Sequence, residues 1–562
     1  MAIKTAIFLA VSLQISAAVH LAKPGDALQG KVDALQPGDT LKFAAGSYTQ
    51  PIIVRTSQVQ LRGDGKAEFC GLRKLAVEWT RIGETYKATV DHPVRQLFLN
   101  GELLTPARWP NMGFAERWDN SKWRAAGKGS RYGTMVDPAL AEPGLDFSGC
   151  VAILNIGSWQ TFRRVISSHR GGRFTYSTAS NPRLHESNHP VGMDRYCIYG
   201  RAALDAPGEW YFDAAESALY VIPPVGVDLA SATVESKVLS EAIVVDGAQG
   251  LALSGFKFRG TTLRLRNTKD CELRNLRLDF PSAIANPFGP NLPYAGEQWN
   301  ARKWFGESSV DALTEFGGDR LLVRDVQLRY SEGPAITVIG KEPLIENCEF
   351  RDIDWHGLDY GFGIDLLATT RPKVRYVTLA YAGGSEGLRL PNHSPSLVEY
   401  CHLHHCGLRQ SDGAIIQTSM PDCRGTEIRY NWIHDHNAFH WGGNGIRGDD
   451  GSRGLDVHHN VVWNCSEKGI VLKGDSHHVH HNICFDNATI DILLPRSRLP
   501  GKDKELKEQN RHSFAHDNRG KVQGNWRWEP PALPYAKTRD NQPAAKAFPK
   551  GLNWQAGFGK MP

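Results

Sequence analysis

The sequence lacks an excess of charge of either sign and lacks long apolar runs. It has 65 Lys and Arg against 60 Asp and Glu, a formal charge of +5, spread over 562 residues. So small and so mixed a charge excludes a dedicated nucleic-acid binder. No segment after the first twenty residues approaches the ~20 apolar residues that a membrane-spanning helix needs. We therefore expect neither a nucleic-acid partner nor membrane insertion.

Helical periodicity and paired metal-binding cysteines are also missing. None of the ten cysteines forms a CxxC pair, and no group of three or four acidic residues suggests a calcium site. We expect no metal site. Most of the cysteines are predicted to be free core residues, because five of them lie in repeat-like segments: Cys348, Cys401, Cys406, Cys465 and Cys484.

The N-terminus has the build of an export signal. Lys4 precedes an apolar run from Ala6 to Leu13, and small residues follow up to Ala18. We expect residues 1–18 to be a signal peptide and the protein to be secreted or periplasmic. A monomer is expected.

Three segments repeat one pattern: EIRYNWIHD, DVHHNVVWN and HVHHNICFDN. Their shared asparagines are Asn431, Asn460 and Asn482, and the last two are 22 residues apart. Asn347 fits an earlier copy. So short a period, with β-branched strands and glycine punctuation, predicts an all-β solenoid, the parallel β-helix.

A second set of segments begins with glycine: FGIDLL, EGLRLPN, DGAIIQT, NGIRGDD and KGIVLKGD. Side chains alternate across a strand. Alignment on the glycine therefore predicts an inward column of Ile364, Leu388, Ala414, Ile446 and Ile470. The predicted outward columns are Asp365, Arg389, Ile415, Arg447 and Val471, then Leu367, Pro391, Gln417, Asp449 and Lys473. Neighbouring coils lie ~4.8 Å apart, so polar groups should gather on one face.

These features resemble the right-handed parallel β-helix superfamily of pectin-lyase-like, carbohydrate-active enzymes. The resemblance begins at VDALQPGDTLKFAAGSYTQPIIV and runs to about Arg496. The phrases QLFLNGELLTPARWPN and PGEWYFDAAESALYVIPP are similar to those flanking the inserted β-rich domain of β-helix glycoside hydrolases of the xylosidase, fucosidase and xylanase kinds. One fold hosts many reactions, so the resemblance implies the fold more strongly than the chemistry.

The export signal, the repeats and the two flanking phrases divide the chain into five predicted parts, the first being the signal peptide. Residues 19–95 form the N-terminal cap and first coils, 96–224 an inserted β-rich domain, and 225–500 the main helix with the active face. Residues 501–562 are expected to cap or wrap the solenoid. A further insertion, at about 282–318, is expected to act as a wall or lid.

Glycoside hydrolysis needs a carboxylic acid and a carboxylate, separated by ~5 Å for retention or ~6.5 to 9.5 Å for inversion. We predict that Asp449 or Asp450 pairs with Asp491, two coils away, while Lys473 and Arg447 tune their charge. The resemblance implies that DDGS, with Asp449 and Asp450, is the family's acidic motif, although Arg447 and Gly448 depart from the expected pattern. Arg389, Gln417 and Asp365 are predicted to bind substrate, and the basic groups suggest a sulfated or uronate-bearing glycan.

The alternative is a polysaccharide lyase, with Lys473, Arg447 and Arg389 as base, acid and carboxylate neutraliser. Calcium is the expected cofactor only in that case, and otherwise none is expected. A non-catalytic glycan-binding β-helix would share the fold without needing an ionisable pair.

Histidines recur beside the asparagines, from His402 to His481. Because they recur at the same point of successive segments, a stacked or surface ladder is a better interpretation than a metal site. His436, His440 and Trp441 differ, since they lie in DHNAFHWGGNG, before the charged strand. We expect them to help bind substrate, with Trp441 as a sugar-stacking platform. Arg108 and Trp109 are expected to anchor the inserted domain.

Overall fold

The computed structural model describes residues 17–157, 161–178, 195–290, 292–293, 307–357, 362–419, 422–438, 442–449, 451–495, 509–510, 512–524 and 536–539. The described chain is nearly all β. It has one α-helix, Leu28–Asp33, which buries Leu28 and Val32, and four short 3-10 helices, Phe114–Glu116, Asn120–Lys122, Pro138–Ala141 and Arg201–Ala203. None of its described helices has the length and apolar character needed to cross a bilayer.

The fold is a right-handed parallel β-helix, as the repeats predict. One long parallel sheet carries the glycine-led segments and has twelve strands: Ile52–Val54, Glu241–Asp246, Thr262–Lys269, Glu315–Asp319, Ile336–Lys341, Phe362–Thr370, Glu386–Arg389, Gly413–Ser419, Gly443–Asp449, Lys468–Leu472, Ile490–Leu494 and Val522–Gly524. We call it the twelve-stranded sheet. Its last strand shows that coils continue beyond residue 501.

The rest of each coil belongs to a second parallel sheet, the bent sheet. Its strands in chain order are Val19–Ala22, Thr40–Phe43, Gly46–Tyr48, Gln60–Cys70, Ala252–Arg259, Glu272–Asp279, Leu322–Ser331, Leu344–Glu346, Glu349–Ile353, Lys373–Arg375, Thr378–Ala382, Leu397–Glu399, His402–Cys406, Thr426–Arg429, Trp432–His436, Leu455–His458, Val461–Trp463, His478–His480, Ile483–Phe485, Ser513–His516 and Ala536–Arg539. From Leu344 onward each coil contributes two short strands joined by a two-residue bend.

The asparagine ladder lies in this bend. Asn431 donates through Nδ2 to Oδ1 of Asn460 at 2.9 Å, Asn460 to Asn482 at 3.0 Å, and Asn482 to Asn518 at 2.9 Å. All four are fully buried. The predicted ladder is thus confirmed for its three main members and extended by Asn518.

Asn347 does not belong to the ladder, contrary to the prediction. The strand register places Cys348, and not Asn347, at the position of Asn431. Asn347 occupies the other bend position, where φ is 52°. Residues in that left-handed region turn their side chains outward, and Asn347 donates to Asp325 at the surface.

The core fills the space between the two sheets with stacked aliphatic residues. Ile364, Leu388, Ile416, Ile446, Ile470 and Ile492 form one fully buried column. All ten cysteines are buried and free, as predicted.

The coils are interrupted by mostly antiparallel strands. A four-stranded sheet contains Leu72–Lys74, Leu97–Leu99, Glu102–Leu103 and Val234–Lys237, and a five-stranded sheet contains Thr80–Ile82, Thr85–Thr89, Thr105–Pro106, Glu209–Asp213 and Ala218–Ile222. A third comprises Arg108–Trp109, Arg124–Ala125, Thr134–Val136, Val151–Asn155, Phe162–Arg170, Arg173–Tyr176 and Arg195–Tyr199. Further along, Leu292–Pro293 pairs with Glu307–Ser308.

This inserted region packs on the helix beside the twelve-stranded sheet. Asn155 donates to the backbone oxygen of Arg409 at 2.9 Å, and the buried Arg409 guanidinium reaches back to Asn120 and to the backbone of Arg117. Arg108 is also buried, at 1% exposure, and donates to Lys122. Burial of Arg108 agrees with the anchoring role expected for it.

Candidate active site

The strand register of the twelve-stranded sheet brings most of the predicted polar residues together, with one correction. Gly413 pairs with Gly443, whereas alignment of DGAIIQT with NGIRGDD had matched it to Gly445. The whole segment therefore shifts by two residues. Ile416 replaces Ala414 in the inward column, and Gln417 lies between Arg389 and Arg447. The resulting outward column is Asp365, Arg389, Gln417, Arg447, Val471 and Leu493.

Arg447 is the centre of the polar group. Its Nη2 donates to Asp449 Oδ2 at 2.6 Å, and its Nη1 donates to Asp412 Oδ1 at 2.8 Å. Lys473, on the next coil, pairs with the other oxygen of Asp449. Because one guanidinium joins both carboxylates, their bonded oxygens lie within roughly 8 Å of each other. Two cations on Asp449 favour its ionised form.

Glu386 is a second acidic centre beside this group. It begins its strand and accepts from Arg389 Nη1 at 2.9 and 3.0 Å. Burial raises the pKa of Glu386 to about 7, Arg389 and Arg447 partly offset the rise, and the charge of Asp449 adds to it. A carboxyl group with such a pKa is protonated to a large extent at neutral pH, so it can donate a proton.

These charged groups are recessed. The side chains of Arg447, Asp449 and Glu386 are 10%, 11% and 6% exposed. Ordinary ion pairs on a solvated sheet face would be open to water, so these three side chains are not surface ion pairs of that kind. Withdrawing several charges from water is costly even when they are paired, so selection for stability alone does not account for them.

A groove of about 280 Å³ opens beside Arg447, and it is lined by Asp412, Asn444, Arg447, Glu467, Lys468, Val471, Lys473, Leu493, Pro495 and Gln509. Lys468 pairs with Glu467, and burial together with Arg447 and Lys473 lowers the pKa of Lys468 to about 8. Within the described part of the chain, the buried acceptors Gln417 Oε1 and Asn444 Oδ1 have no hydrogen-bond partner. Sugar hydroxyl groups would satisfy such acceptors.

Asp491 does not join the group, which corrects the predicted pair. It lies opposite Gly469, which in turn lies opposite Gly445. An added Cβ on Gly445 would meet the core side chains of Val462 and Cys465, so this column faces the interior of the coil. Asp449 lies instead on the outer face, with Arg447 and Lys473. Asp491 instead accepts from Asn487 Nδ2 and from the backbone of Lys521, both at 2.8 Å. It stabilises a corner of the coil.

The prediction that His436 binds substrate is also wrong. His436 is fully buried and its Nε2 donates to the backbone oxygen of Ser385 at 2.8 Å, so it cannot touch a substrate as predicted. The ring fills the space left by two glycines, Gly407 and Gly443, whose added Cβ atoms would collide with it. Asp450, His440 and Trp441 lie outside the described residues.

Sequence reasoning missed Glu386, Asp412 and Lys468. Each lies at the start of a strand, just before the glycine on which the segments were aligned. Register places Glu386, Ala414, Asn444 and Lys468 in one column. Strict alternation would put Glu386, three residues before Arg389, on the opposite face of the strand, so a pattern of every second residue does not find it. The irregular backbone at the intervening glycine allows the Glu386 carboxylate to accept from Arg389.

The described residues of this site do not include a cluster of three metal-ligating side chains. The clusters that the described chain does contain consist mainly of histidines of the bent sheet. Acid and base chemistry by carboxyl groups, with lysine and arginine nearby, is what the arrangement can perform.

Comparison with known proteins agrees with the fold. Residues 313–487 match a family model for the right handed beta helix region. A solved structure described as a glycoside hydrolase is similar at 13% identity and a TM-score of 0.58, covering 94% of this chain and 97% of that chain. The complex of XylC with xylose gives 10% identity and a TM-score of 0.41 over 95% and 86% of the two chains. The periplasmic alginate epimerase AlgG gives 13% and 0.34 over 55% and 78%.

No curated protein matches the sequence. At such low identities the similarity establishes the right-handed parallel β-helix and leaves the reaction to the residues of the site.

Proposed function

We propose that this protein is a glycoside hydrolase that cleaves a polysaccharide on the outer face of the twelve-stranded sheet. The observation that carries the proposal is a buried carboxyl group with a raised pKa, Glu386, close enough to Asp449 for the charge of Asp449 to raise that pKa. Glu386 is buried with its pKa raised to about 7, while Asp449 is held between two cations. Glycosidic hydrolysis requires that division of roles.

In the proposed reaction Glu386 gives its proton to the glycosidic oxygen as the bond to the anomeric carbon breaks. Asp449 acts on the other side, either as the nucleophile or as the base that takes a proton from the attacking water. Arg447 holds Asp449 in place through Nη2 and is itself held by Asp412 through Nη1. Asp412 and Arg447 are therefore positioning residues.

For the substrate we propose a glycan that carries sulfate or uronate groups. Three basic side chains, Arg447, Lys468 and Lys473, line the groove with two acidic ones, Asp412 and Glu467. Each of the three already has a carboxylate partner, so a substrate anion would share these cations with Asp412, Asp449 and Glu467. Gln417 and Asn444 would accept hydrogen bonds from sugar hydroxyl groups.

A uronate lyase is the second candidate, and Lys468 is the observation that favours it. With a pKa lowered to about 8, Lys468 has a larger neutral fraction at neutral pH than an ordinary lysine. A neutral amine could remove the proton next to a uronate carboxyl group. Lys473, the base expected from the sequence, is paired with Asp449, just as Lys468 is paired with Glu467, so the lowered pKa is what favours Lys468.

One assay separates these functions. The protein is incubated with neutral, sulfated and uronate-bearing polysaccharides while reducing ends and unsaturated uronate are measured separately. A hydrolase releases reducing ends alone, a lyase produces both signals, and a binding protein produces neither. We expect Asp449→Asn to abolish release of reducing ends, and Lys468→Met to retain it with a higher KM on sulfated or uronate-bearing glycans. Loss of an unsaturated product in Lys468→Met would instead establish the lyase.

A further inference from the structure

The bent sheet brings histidines of successive coils into contact at the ends of their strands. His404 pairs in register with His434 on the next coil, and their rings stack at 4.8 Å. The residues that follow them, His405 and Asp435, both have positive φ, 52° and 58°. Because that conformation interrupts the alternation of a strand, consecutive side chains lie side by side instead of on opposite faces.

Three histidine nitrogens converge there, and a carboxylate oxygen lies beside two of them. His404 Nδ1 and His405 Nδ1 are 2.7 Å apart, His434 Nδ1 is 2.5 Å from Asp435 Oδ2, and the same oxygen is 3.7 Å from His405 Nδ1. The ligand atoms of the three histidines all lie within 4.8 Å of one another. A tetrahedral zinc ion with bonds of ~2.0 to 2.1 Å holds its ligand atoms ~3.3 Å apart. Because the stacked His404 and His434 rings lie in parallel planes, one of them must turn about its Cβ–Cγ bond before both Nδ1 atoms face the same ion.

We propose that His404, His405, His434 and Asp435 form a zinc site that joins two successive coils. Three imidazole nitrogens and one carboxylate oxygen suit zinc and related first-row divalent ions, and do not suit calcium or magnesium. This departs from the sequence-based expectation of a ladder without metal. What sequence could not show is the positive φ that brings each pair of neighbours together.

Outer contacts support the proposed ligands. His434 Nε2 lies 2.8 Å from His402 Nε2, and the second oxygen of Asp435 accepts from Asn464. Such contacts orient the ligands of known metal sites. The His405 side chain is 30% exposed and leaves a path for the ion.

A zinc ion there would connect ligands from two coils, so it would stabilise the solenoid. The site lies on a different sheet from Glu386 and Asp449, and its test does not depend on activity.

The test is zinc titration of the full chain after removal of metal with EDTA, in competition with a chromophoric chelator. We expect one tight zinc per chain and a higher melting temperature with zinc. His405→Asn and Asp435→Asn should each weaken binding by ~10- to 100-fold or more and remove the thermal shift. Cobalt should give the intense visible absorption of tetrahedral coordination in the wild type only.

The matched control is His459→Asn. His459 forms the same kind of pair with His458, with Nδ1 atoms 2.8 Å apart, two coils further on. We expect this variant to keep the tight site. Circular dichroism checks that each variant is folded. The proposal is wrong if the wild type binds no zinc, if both site variants bind as tightly as the wild type, or if His459→Asn alone loses the ion.

Discussion

The asparagine ladder and the candidate active site are both buried polar regions, but they are built differently. In the ladder, Asn431, Asn460, Asn482 and Asn518 repeat one residue on successive coils, and each satisfies the next. In the outward column of the twelve-stranded sheet the residue changes at each coil, from Asp365 to Arg389, Gln417 and Arg447. Some acceptors there have no partner among the described residues.

Buried polar residues that repeat on successive coils thus serve a different purpose from those that change at each coil. A group that repeats can complete its hydrogen bonds within the solenoid, and its contribution is to stability. A polar group that changes from coil to coil requires a specific neighbour, and it leaves some hydrogen-bonding atoms available to a ligand. Mutations should therefore separate the regions, affecting turnover in one and unfolding in the other.

The largest effect is expected at the acid. Glu386→Gln removes the proton donor, so kcat/KM on the cleaved glycan should fall ~10²- to 10⁴-fold with little change in melting temperature. The matched control is Glu399→Gln, since Glu399 is also buried and accepts from an arginine, Arg429, but on the bent sheet. Equal turnover losses in both variants would contradict the assignment.

The ladder should show the opposite result. Asn460→Ala leaves buried partners unsatisfied above and below it, and we expect a loss of ~3 kcal/mol in the free energy of unfolding, measured by denaturant titration. Turnover of the remaining folded protein should be unchanged. Asn347→Ala, at the exposed bend position, should cost only about 1 kcal/mol, mainly from its positive φ. A loss of turnover without a loss of stability in Asn460→Ala would break the comparison.

The pH dependence should also differ between the regions. Glu386 must be protonated to act as the acid, so kcat/KM should decline as pH rises through about 7. Its raised pKa also means that its contribution to stability is fully present below the ordinary pKa of 4.5 and is lost as pH rises through about 7. Unfolding measured against pH should show this loss in the wild type and not in Glu386→Gln. A pH profile of activity that stays flat to pH 9 would exclude Glu386 as the acid.

The smallest effect is expected at Asp491. It accepts hydrogen bonds only from Asn487 and Lys521 among the contacts described above, far from Arg447. Asp491→Asn should keep kcat within roughly twofold and cost about 1 kcal/mol of stability, the typical effect of a single substitution. Initial rates and a melting curve check both values. A thousandfold loss of kcat would restore the pair predicted from sequence.

The fold was predictable because the asparagine ladder repeats on four successive coils and the aliphatic column on six. The candidate site was less predictable, because the coils differ in length and a sequence alignment can use any of several glycines. Gly442, Gly443 and Gly445 precede Arg447, and only the hydrogen-bonded register identifies Gly443 as the partner of Gly413. Arg447, Asp449 and Lys473 were found because they follow the glycine, whereas Glu386 precedes it. The position of Asp491 relative to Asp449 depended on the strand register, which the repeats do not determine.

Arg409 has a consequence for how the protein unfolds. Its guanidinium is buried where the inserted region meets the coils, stacked near Trp118 and Trp123 and bonded to Asn120, and burial lowers its pKa to about 9. Separating the two regions would hydrate this cation but break its hydrogen bonds to Asn120 and to the backbone of Arg117 and uncover Trp118 and Trp123. Because these contacts join the insert to the solenoid, heat should melt both in one cooperative transition.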